Sequence, residues 1–363
     1  MKAVVIHELN TITVQDVNLD PPKASEVKVK MAATGVCHSD LSVINGTIPA
    51  ALPMLVGHEG AGVVEAVGEG VRNVAPGDHV VLSFVPNCRE CFFCIRGEAY
   101  LCEKAGTLNM GKQLDGTARV HQNGNDLNVM TGLGCMAEYA VIPSINVVPI
   151  KKEIPLEVAA LVGCAVTTGV GAALNTARVE AGSTVVVFGC GGVGISVIQG
   201  ARVAGAERII AVDISESKLK MAESFGATHS VLSDDNVVKE IKKLTNGYGA
   251  DYAFEAIGIP SVVELAYTVT RNGGKTIVVG VGKMTERISF NALTLSLRGK
   301  TICGCMYGNA NPAVDFPKIL GLYEAGKLDL EGMVTKTYRI EDAVQAFTDL
   351  EAGENARGVI VFD

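Results

Sequence analysis

Four cysteines, Cys88, Cys91, Cys94 and Cys102, crowd into one short stretch of this chain. Thiolates that close in sequence can converge on a single tetrahedral ion, and zinc is the usual occupant of such a set. Four protein ligands leave no coordination position for water or substrate. A metal held there would fold its own lobe and take no part in chemistry. Free surface thiols or a redox pair are the competing readings of the same residues. A second group of chemically capable residues is dispersed: Cys37-His-Ser-Asp40, Gly57-His-Glu-Gly60 and Cys164. Cysteine, histidine and carboxylate are metal ligands and proton carriers, but spacing alone does not assemble residues so far apart.

The third constellation is Val185-Val-Val-Phe-Gly-Cys-Gly-Gly-Val-Gly194. An apolar run enters Gly189-x-Gly191-x-x-Gly194, with Gly192 and Val193 inside the turn. Val193, Val197, Ile198, Ala201 and Ala204 follow at helical spacing, and Ile209-Ile-Ala-Val then ends on Asp213. Strand, glycine turn, helix, strand and acid in that order predict a dinucleotide site. The glycines permit a tight turn, close approach of a pyrophosphate and helix-on-strand packing, while the helix N-terminus offers free N–H groups. The Asp213 carboxylate would accept hydrogen bonds from both ribose hydroxyls of the adenosine half and repel a 2′-phosphate, which favours NAD over NADP. A glycine-rich turn without a ligand is the bland alternative in a chain with 41 glycines.

The elements that must position these residues fall into two patterns. Up to about residue 90 the chain reads as short strands, among them Val4-Val-Ile, Ile12-Thr-Val, Val27-Lys-Val-Lys-Met and His79-Val-Val-Leu, with turns at Asp20-Pro-Pro and Pro76-Gly-Asp. Residues 105–136 are polar and rich in glycine and asparagine, which predicts either a functional surface segment or an ordered lobe. A helical pattern runs from Leu156 to about Ala177. From Ser183 strand and helix alternate, the signature of a parallel sheet covered on both faces by helices, and after Arg298 the chain leaves that sheet. Two helical stretches, Phe316–Ala325 and Glu341–Leu350, and a strand beginning at Gly358 finish it. The fold class is α/β: a doubly wound Rossmann sheet joined to a mostly β module.

Composition narrows the function. A net charge of −8 without a basic cluster argues against nucleic acid and anionic membranes as partners. No apolar run has the length to span a bilayer, and the first residues lack the pattern of a signal peptide, so a cytoplasmic setting is expected. In such a reducing compartment ten cysteines point to metal ligands or reactive thiols rather than disulfides.

Taken together, Cys37-His-Ser-Asp40, Gly57-His-Glu-Gly-Ala-Gly-Val-Val-Glu-Ala-Val-Gly68, the Cys88–Cys102 cluster and the glycine turn resemble the zinc-containing medium-chain alcohol dehydrogenases in order and spacing. The resemblance covers essentially the whole chain, and the loop before Tyr139 is similar to that of the longer members, which include liver-type and formaldehyde-dehydrogenase-like enzymes. It implies a GroES-like zinc-binding catalytic domain over residues 1–165 and 307–363, an NAD-binding domain over 166–306, and a cleft between them for zinc and nicotinamide. It implies two zinc ions per subunit: one catalytic, held by Cys37, His58 and Cys164, and one structural, held by the four clustered cysteines. Asp40 would orient the His58 ring, and Glu59 would lie behind the metal as a transient ligand or a structural carboxylate.

The same resemblance places Ser39 as the hydroxyl that relays the alcohol proton. Liver-type enzymes continue that relay with a histidine where this chain has Ser42, so water or a cofactor ribose would complete it here. Thr168 and Val193 would contact the nicotinamide, Lys218 the adenosine ribose, and Arg357 and His38 the pyrophosphate. Because an imidazole titrates near neutrality, NADH affinity is expected to weaken as pH rises through the His38 range. A titration between about pH 6 and 9 checks this, and a flat profile would refute it. Phe84, Leu101, Met136 and Met306 fall at substrate-pocket positions, though each is equally an ordinary core residue. With them the favoured substrate is a medium-sized apolar primary alcohol. A thiol-dependent formaldehyde dehydrogenase is the second reading, and a binding protein that has lost catalysis the third. Association into a homodimer or homotetramer is implied, through edge strands of the NAD-binding domain between Arg287 and Tyr307.

Overall fold

A computed structural model describes residues 1–353 and 355–363. Two compact units emerge: Met1–Ala165 with Asn311–Gly321 and Leu330–Asp363, and Val166–Ala310 with Leu322–Asp329. Two pieces of the expected 307–363 segment therefore belong to the second unit. Gly308 lies against Gly171 so closely that a Cβ on Gly171 would meet the Gly308 carbonyl oxygen at 2.5 Å. Farther on, the Asp329 N–H donates to Gln199 Oε1 at 2.7 Å.

In the first unit β-branched runs become strands of two sheets. Lys2–Ile6 shows why its apolar run is continuous. Val4 and Ile6 face a cluster with Val36, Val56 and Phe347, while Ala3 and Val5 face another with Leu55, Leu127 and Val129. Successive side chains of a strand point to opposite faces, so a strand covered on both sides has no polar positions. The larger sheet runs Val147–Ile150, His79–Leu82, Gly60–Val67, Glu26–Val36, Arg357–Val361 and Val334–Tyr338, with Tyr139–Pro143 also on Glu26–Val36. The chain's last strand is thus wedged against one of its earliest.

Residues 105–136 form an ordered lobe. Helix Lys104–Asn109 leads to the hairpin Val120–Gln122 and Asn125–Val129. The lobe is pinned by Arg119, a fully buried guanidinium that donates to both oxygens of Glu26 at 2.9 and 2.6 Å and to Asp115 at 2.8 Å. Removing one partner of a buried pair leaves the other charge uncompensated, at a cost of about 3–5 kcal/mol. Arg119→Ala is accordingly expected to lower the urea midpoint sharply, whereas Lys112→Ala, at an exposed pair with Asp126, should barely move it.

The second unit is built on a six-stranded, all-parallel sheet in the order His229–Leu232, Arg208–Asp213, Thr184–Phe188, Ala250–Glu255, Thr270–Val278, Thr301–Gly304. Its last strand corrects the expectation that the chain leaves the sheet after Arg298. The apolar face of Thr184–Phe188 packs on Val197, Ile198 and Ala201 of helix Gly192–Val203. Beyond the sheet edge Met284, Leu293 and Leu297 are exposed.

One expected helix is interrupted. Leu156–Val162 stops before Ala165–Gly171, and Ala172–Ala177 continues as a π-turn. Gly163 marks the break, because a Cβ there would come within 2.9 Å of the Leu82 carbonyl oxygen. Cys164 stands at this break, between the two helices, and is buried. Among the described residues no single helix is long and apolar enough to cross a membrane.

Candidate active site

Three separate pieces of backbone deliver the dispersed ligands. Cys37 caps the short helix His38–Ile44 directly after strand Glu26–Val36. His58 and Glu59 lie in the extended link between Met54–Leu55 and Gly60–Val67, and Cys164 stands at the helix break. The ligand atoms of Cys37, His58, Glu59 and Cys164 all lie within 4.8 Å of one another, and all four residues are buried. His58 Nε2 is 3.3 Å from Cys164 Sγ. Its Nδ1 is 2.9 Å from Asp40 Oδ1, so the carboxylate holds the proton on Nδ1 and frees Nε2 toward the thiols. Asp40 is itself fixed by the N–H groups of Gly57 at 3.1 Å and Cys37 at 3.3 Å.

The buried ligands perturb one another's protonation. The Cys164 thiol bonded to Cys37, aided by Arg357 and His58, holds the Cys37 thiol well below its ordinary range, while the same bond and burial push Cys164 up. Burial works against a charged His58, but Asp40 and Cys37 outweigh it and raise its pKa. Burial also lifts Glu59 to about 7 against the pull of Arg357. An ion bound here would displace the protons that Cys164 and His58 retain, and the resulting two thiolates and imidazole in a dry pocket suit zinc with one position left open. Asp40→Ala is expected to weaken zinc at this centre about 10–100-fold, measurable by competition with a chelator.

Behind the ligands Glu59 Oε1 accepts from Arg357 Nη2 at 2.5 Å, and its Oε2 accepts the Ala165 N–H at 3.4 Å. Arg357 is 3% exposed. Its strand is interior to the sheet, and its charge faces Glu59 and the two cysteines rather than open solvent. Gly35 makes room for this pair, since a Cβ there would lie 2.3 Å from Glu59 Oε1 and 2.9 Å from Arg357 Nη2. Gly35 carries no chemical group and stands outside every sequence motif. The one available signal was a glycine inside a long β-branched strand, which marks close approach of another group.

Phe84 places its ring edge-on to His58, with centroids 5.6 Å apart. Leu101 and Met306 are exposed. Met136 is fully buried beside Val4, Ile6 and Val56, its N–H donates to the Val56 carbonyl at 3.1 Å, and its side chain packs against Gly57, the neighbour of His58. Ser39 is half-buried and His38 exposed, both in the helix that Cys37 caps.

The clustered cysteines also converge. Cys88 and Cys94 sulfurs are 3.8 Å apart and those of Cys91 and Cys102 4.0 Å, with no disulfide among them. A tetrahedron with zinc–sulfur bonds of about 2.3 Å has edges of about 3.8 Å, so the set fits the ion.

In the second unit the glycine turn has the expected form. Gly189 has φ +91°, and a Cβ on Gly194 would stand 1.7 Å from the Gly189 carbonyl oxygen. Gly191, by contrast, faces open space, so its missing side chain leaves a cradle beside the N-terminus of helix Gly192–Val203. Asp213 Oδ2 accepts the Cys190 N–H at 2.8 Å and Oδ1 the Ser215 N–H at 3.0 Å. The acid therefore shapes the turn while keeping lone pairs for a ribose. Val193, Lys218 and Thr168 are half-buried, and a Cβ on Gly169, next to Thr168, would reach the Val193 carbonyl oxygen at 2.4 Å.

A metal centre of this type and a Rossmann sheet in one chain define a zinc-dependent dehydrogenase. Comparison with known proteins agrees: residues 23–152 match the alcohol dehydrogenase GroES-like domain and residues 192–325 the zinc-binding dehydrogenase domain. The chain belongs to the zinc-containing medium-chain alcohol dehydrogenase family. It is 41% identical to putative alcohol dehydrogenase D of Mycobacterium tuberculosis, over 99% of this chain and 98% of that one. It is also 41% identical to the NDMA-dependent alcohol dehydrogenase of Amycolatopsis methanolica, with the same coverage. Identity to the S-(hydroxymethyl)glutathione dehydrogenase of Paracoccus denitrificans is 39%, over 99% of each chain. Among solved structures, an alcohol dehydrogenase zinc-binding domain protein from Burkholderia ambifaria superposes with a TM-score of 0.95 at 35% identity, covering 100% of this chain and 98% of that one. Benzyl alcohol dehydrogenase from Acinetobacter calcoaceticus gives 0.93 at 33%, covering 100% and 99%.

Proposed function

We propose that this zinc alcohol dehydrogenase moves hydride between primary alcohols and NAD, and that it favours medium-sized apolar alcohols, allylic or aromatic ones among them. The observation that carries the reading is the convergence of Cys37, His58 and Cys164 on one buried point. When bound, zinc supplies a Lewis acid that acidifies the alcohol hydroxyl, and the nicotinamide supplies the hydride acceptor. The chain's own residues do the rest. Asp40 fixes the ligand tautomer, and the Glu59–Arg357 pair balances charge behind the ligands. Ser39 takes the hydroxyl proton and passes it to water or a ribose hydroxyl, since Ser42 cannot act as the next base. Phe84 supplies an apolar wall beside His58, with Leu101 and Met306 as further wall candidates. Asp213 selects a free 2′-hydroxyl, Gly191 and the helix behind it receive the pyrophosphate, and Thr168, Val193, Lys218, His38 and Arg357 complete the cofactor contacts. Self-association through the exposed Met284, Leu293 and Leu297 would give a dimer or tetramer, which native mass measurement distinguishes.

The test is NADH formation across short aliphatic, long aliphatic, allylic and benzylic alcohols, and across formaldehyde with and without a low-molecular-weight thiol. Turnover of one alcohol class without thiol is expected. A second reading, oxidation of a thiol–formaldehyde adduct, is favoured by the 39% identity to the Paracoccus enzyme. Turnover that requires the thiol would establish it in place of the first.

A further inference from the structure

Glu255 ends the strand Ala250–Glu255 and is fully buried, yet none of the chemistry above uses it. It stands opposite Phe188, the last residue before the glycine turn. From Thr184–Phe188 the sheet continues one way to Arg208–Asp213, and from Ala250–Glu255 the other way to Thr270–Val278. These two strands flank the switch point of the sheet, and ligands of open α/β sheets bind outside the strand ends there. Glu255 Oε1 collects the N–H groups of Ile257 at 2.9 Å, Gly258 at 2.6 Å and, at a longer 3.4 Å, Ile259. Its main-chain oxygen receives those of Val279 at 2.8 Å and Gly280 at 3.0 Å. The loops it ties are in tight contact. A Cβ on Gly280 would lie 2.1 Å from the Gly258 nitrogen, and one on Gly189 would lie 2.6 Å from Ile257 Cγ1. Ile257, Ile259 and Val281 are exposed on the rim these loops form. Glu255 Oε2 has no partner among the described residues, and burial raises the pKa of the carboxyl. A buried oxygen left unpaired is costly, so the group needs a return elsewhere.

We propose that Glu255 is a positioning residue for the nicotinamide half of the cofactor, locking the 256–259 and 279–282 loops into the apolar surface on which that half lies. The inference rests on the NAD reading above. Sheet order assigns the halves: Asp213 takes the adenosine ribose on one side of the glycine turn, and the Glu255 loops occupy the other side. NADH and AMP affinities of the zinc-loaded enzyme separate the two ends, because AMP tests the adenosine end alone. Glu255→Gln keeps an acceptor for the three amides and should hold NADH affinity within about threefold. Glu255→Asp withdraws the acceptor by one methylene and Glu255→Leu removes it, so NADH affinity should fall about tenfold or more while AMP affinity is unchanged. Unchanged NADH affinity in the Asp variant, or AMP affinity falling in step with it, would overturn the proposal. Should the Leu variant fail to fold, the Gln and Asp pair decides. A wild-type enzyme that binds AMP but not NADH would overturn the NAD reading and this inference with it.

Discussion

Cys164→Ser is expected to leave one zinc per subunit and to cut kcat/KM for alcohol oxidation by about 10³ or more. The magnitude follows from Lewis-acid catalysis: charge stabilisation by the metal is worth several kcal/mol, and each 1.36 kcal/mol is tenfold in rate. Serine fills nearly the same space but offers a neutral hydroxyl in place of a thiolate, so the binding set loses both softness and charge. The fold should survive, because Cys164 lies at a helix break whose geometry is imposed by Gly163 against Leu82. Metal analysis beside steady-state kinetics checks this. Full activity with one zinc lost would show that the Cys37, His58 and Cys164 centre is not catalytic.

Cys102→Ser should act on stability instead. The segment from Cys88 to Cys102 has little core of its own: helix Phe92–Ile95 buries no residue, and Phe92 and Ile95 are 58% and 69% exposed. Four thiolates on one ion must therefore hold it. Structural zinc contributes about 10–16 kcal/mol of apparent binding energy in small zinc-folded peptides, comparable with the whole stability of an ordinary domain. Loss of one ligand should open the lobe to proteolysis and lower the melting temperature by about 10 °C or more. The Cys37 centre should keep its zinc in the fraction that stays folded. A Cys102→Ser protein as protease-resistant and heat-stable as wild type would refute the structural role.

Local chemistry was the most legible part of this sequence. The four clustered cysteines and the glycine turn carry their meaning in their spacing, and strand–helix alternation predicts the parallel sheet. The dispersed ligands became legible only through family resemblance, because nothing in local spacing brings Cys37, His58 and Cys164 together. The partner of Arg357 was illegible for the same physical reason. Its strand pairs with Glu26–Val36 across nearly the full length of the chain, and only that pairing shows that its guanidinium faces Glu59. Met136 was ambiguous because an apolar side chain at a pocket position and one in a core look the same in sequence. The strand Thr301–Gly304 is short and only partly apolar, so its own pattern did not reveal it and only the resemblance implied an edge strand between Arg287 and Tyr307; its place is fixed by Thr270–Val278 beside it. Glu255 gave only a faint sign, an acid closing an apolar strand.

The most direct test of the account is metal content per subunit measured on the same preparation as NADH formation across the alcohol classes. Two zinc ions are expected, with growth of NADH on one class of alcohol and loss of that activity in step with removal of a single zinc by a chelator. Activity that persists after the first unit has lost the zinc at Cys37, His58 and Cys164 would contradict it.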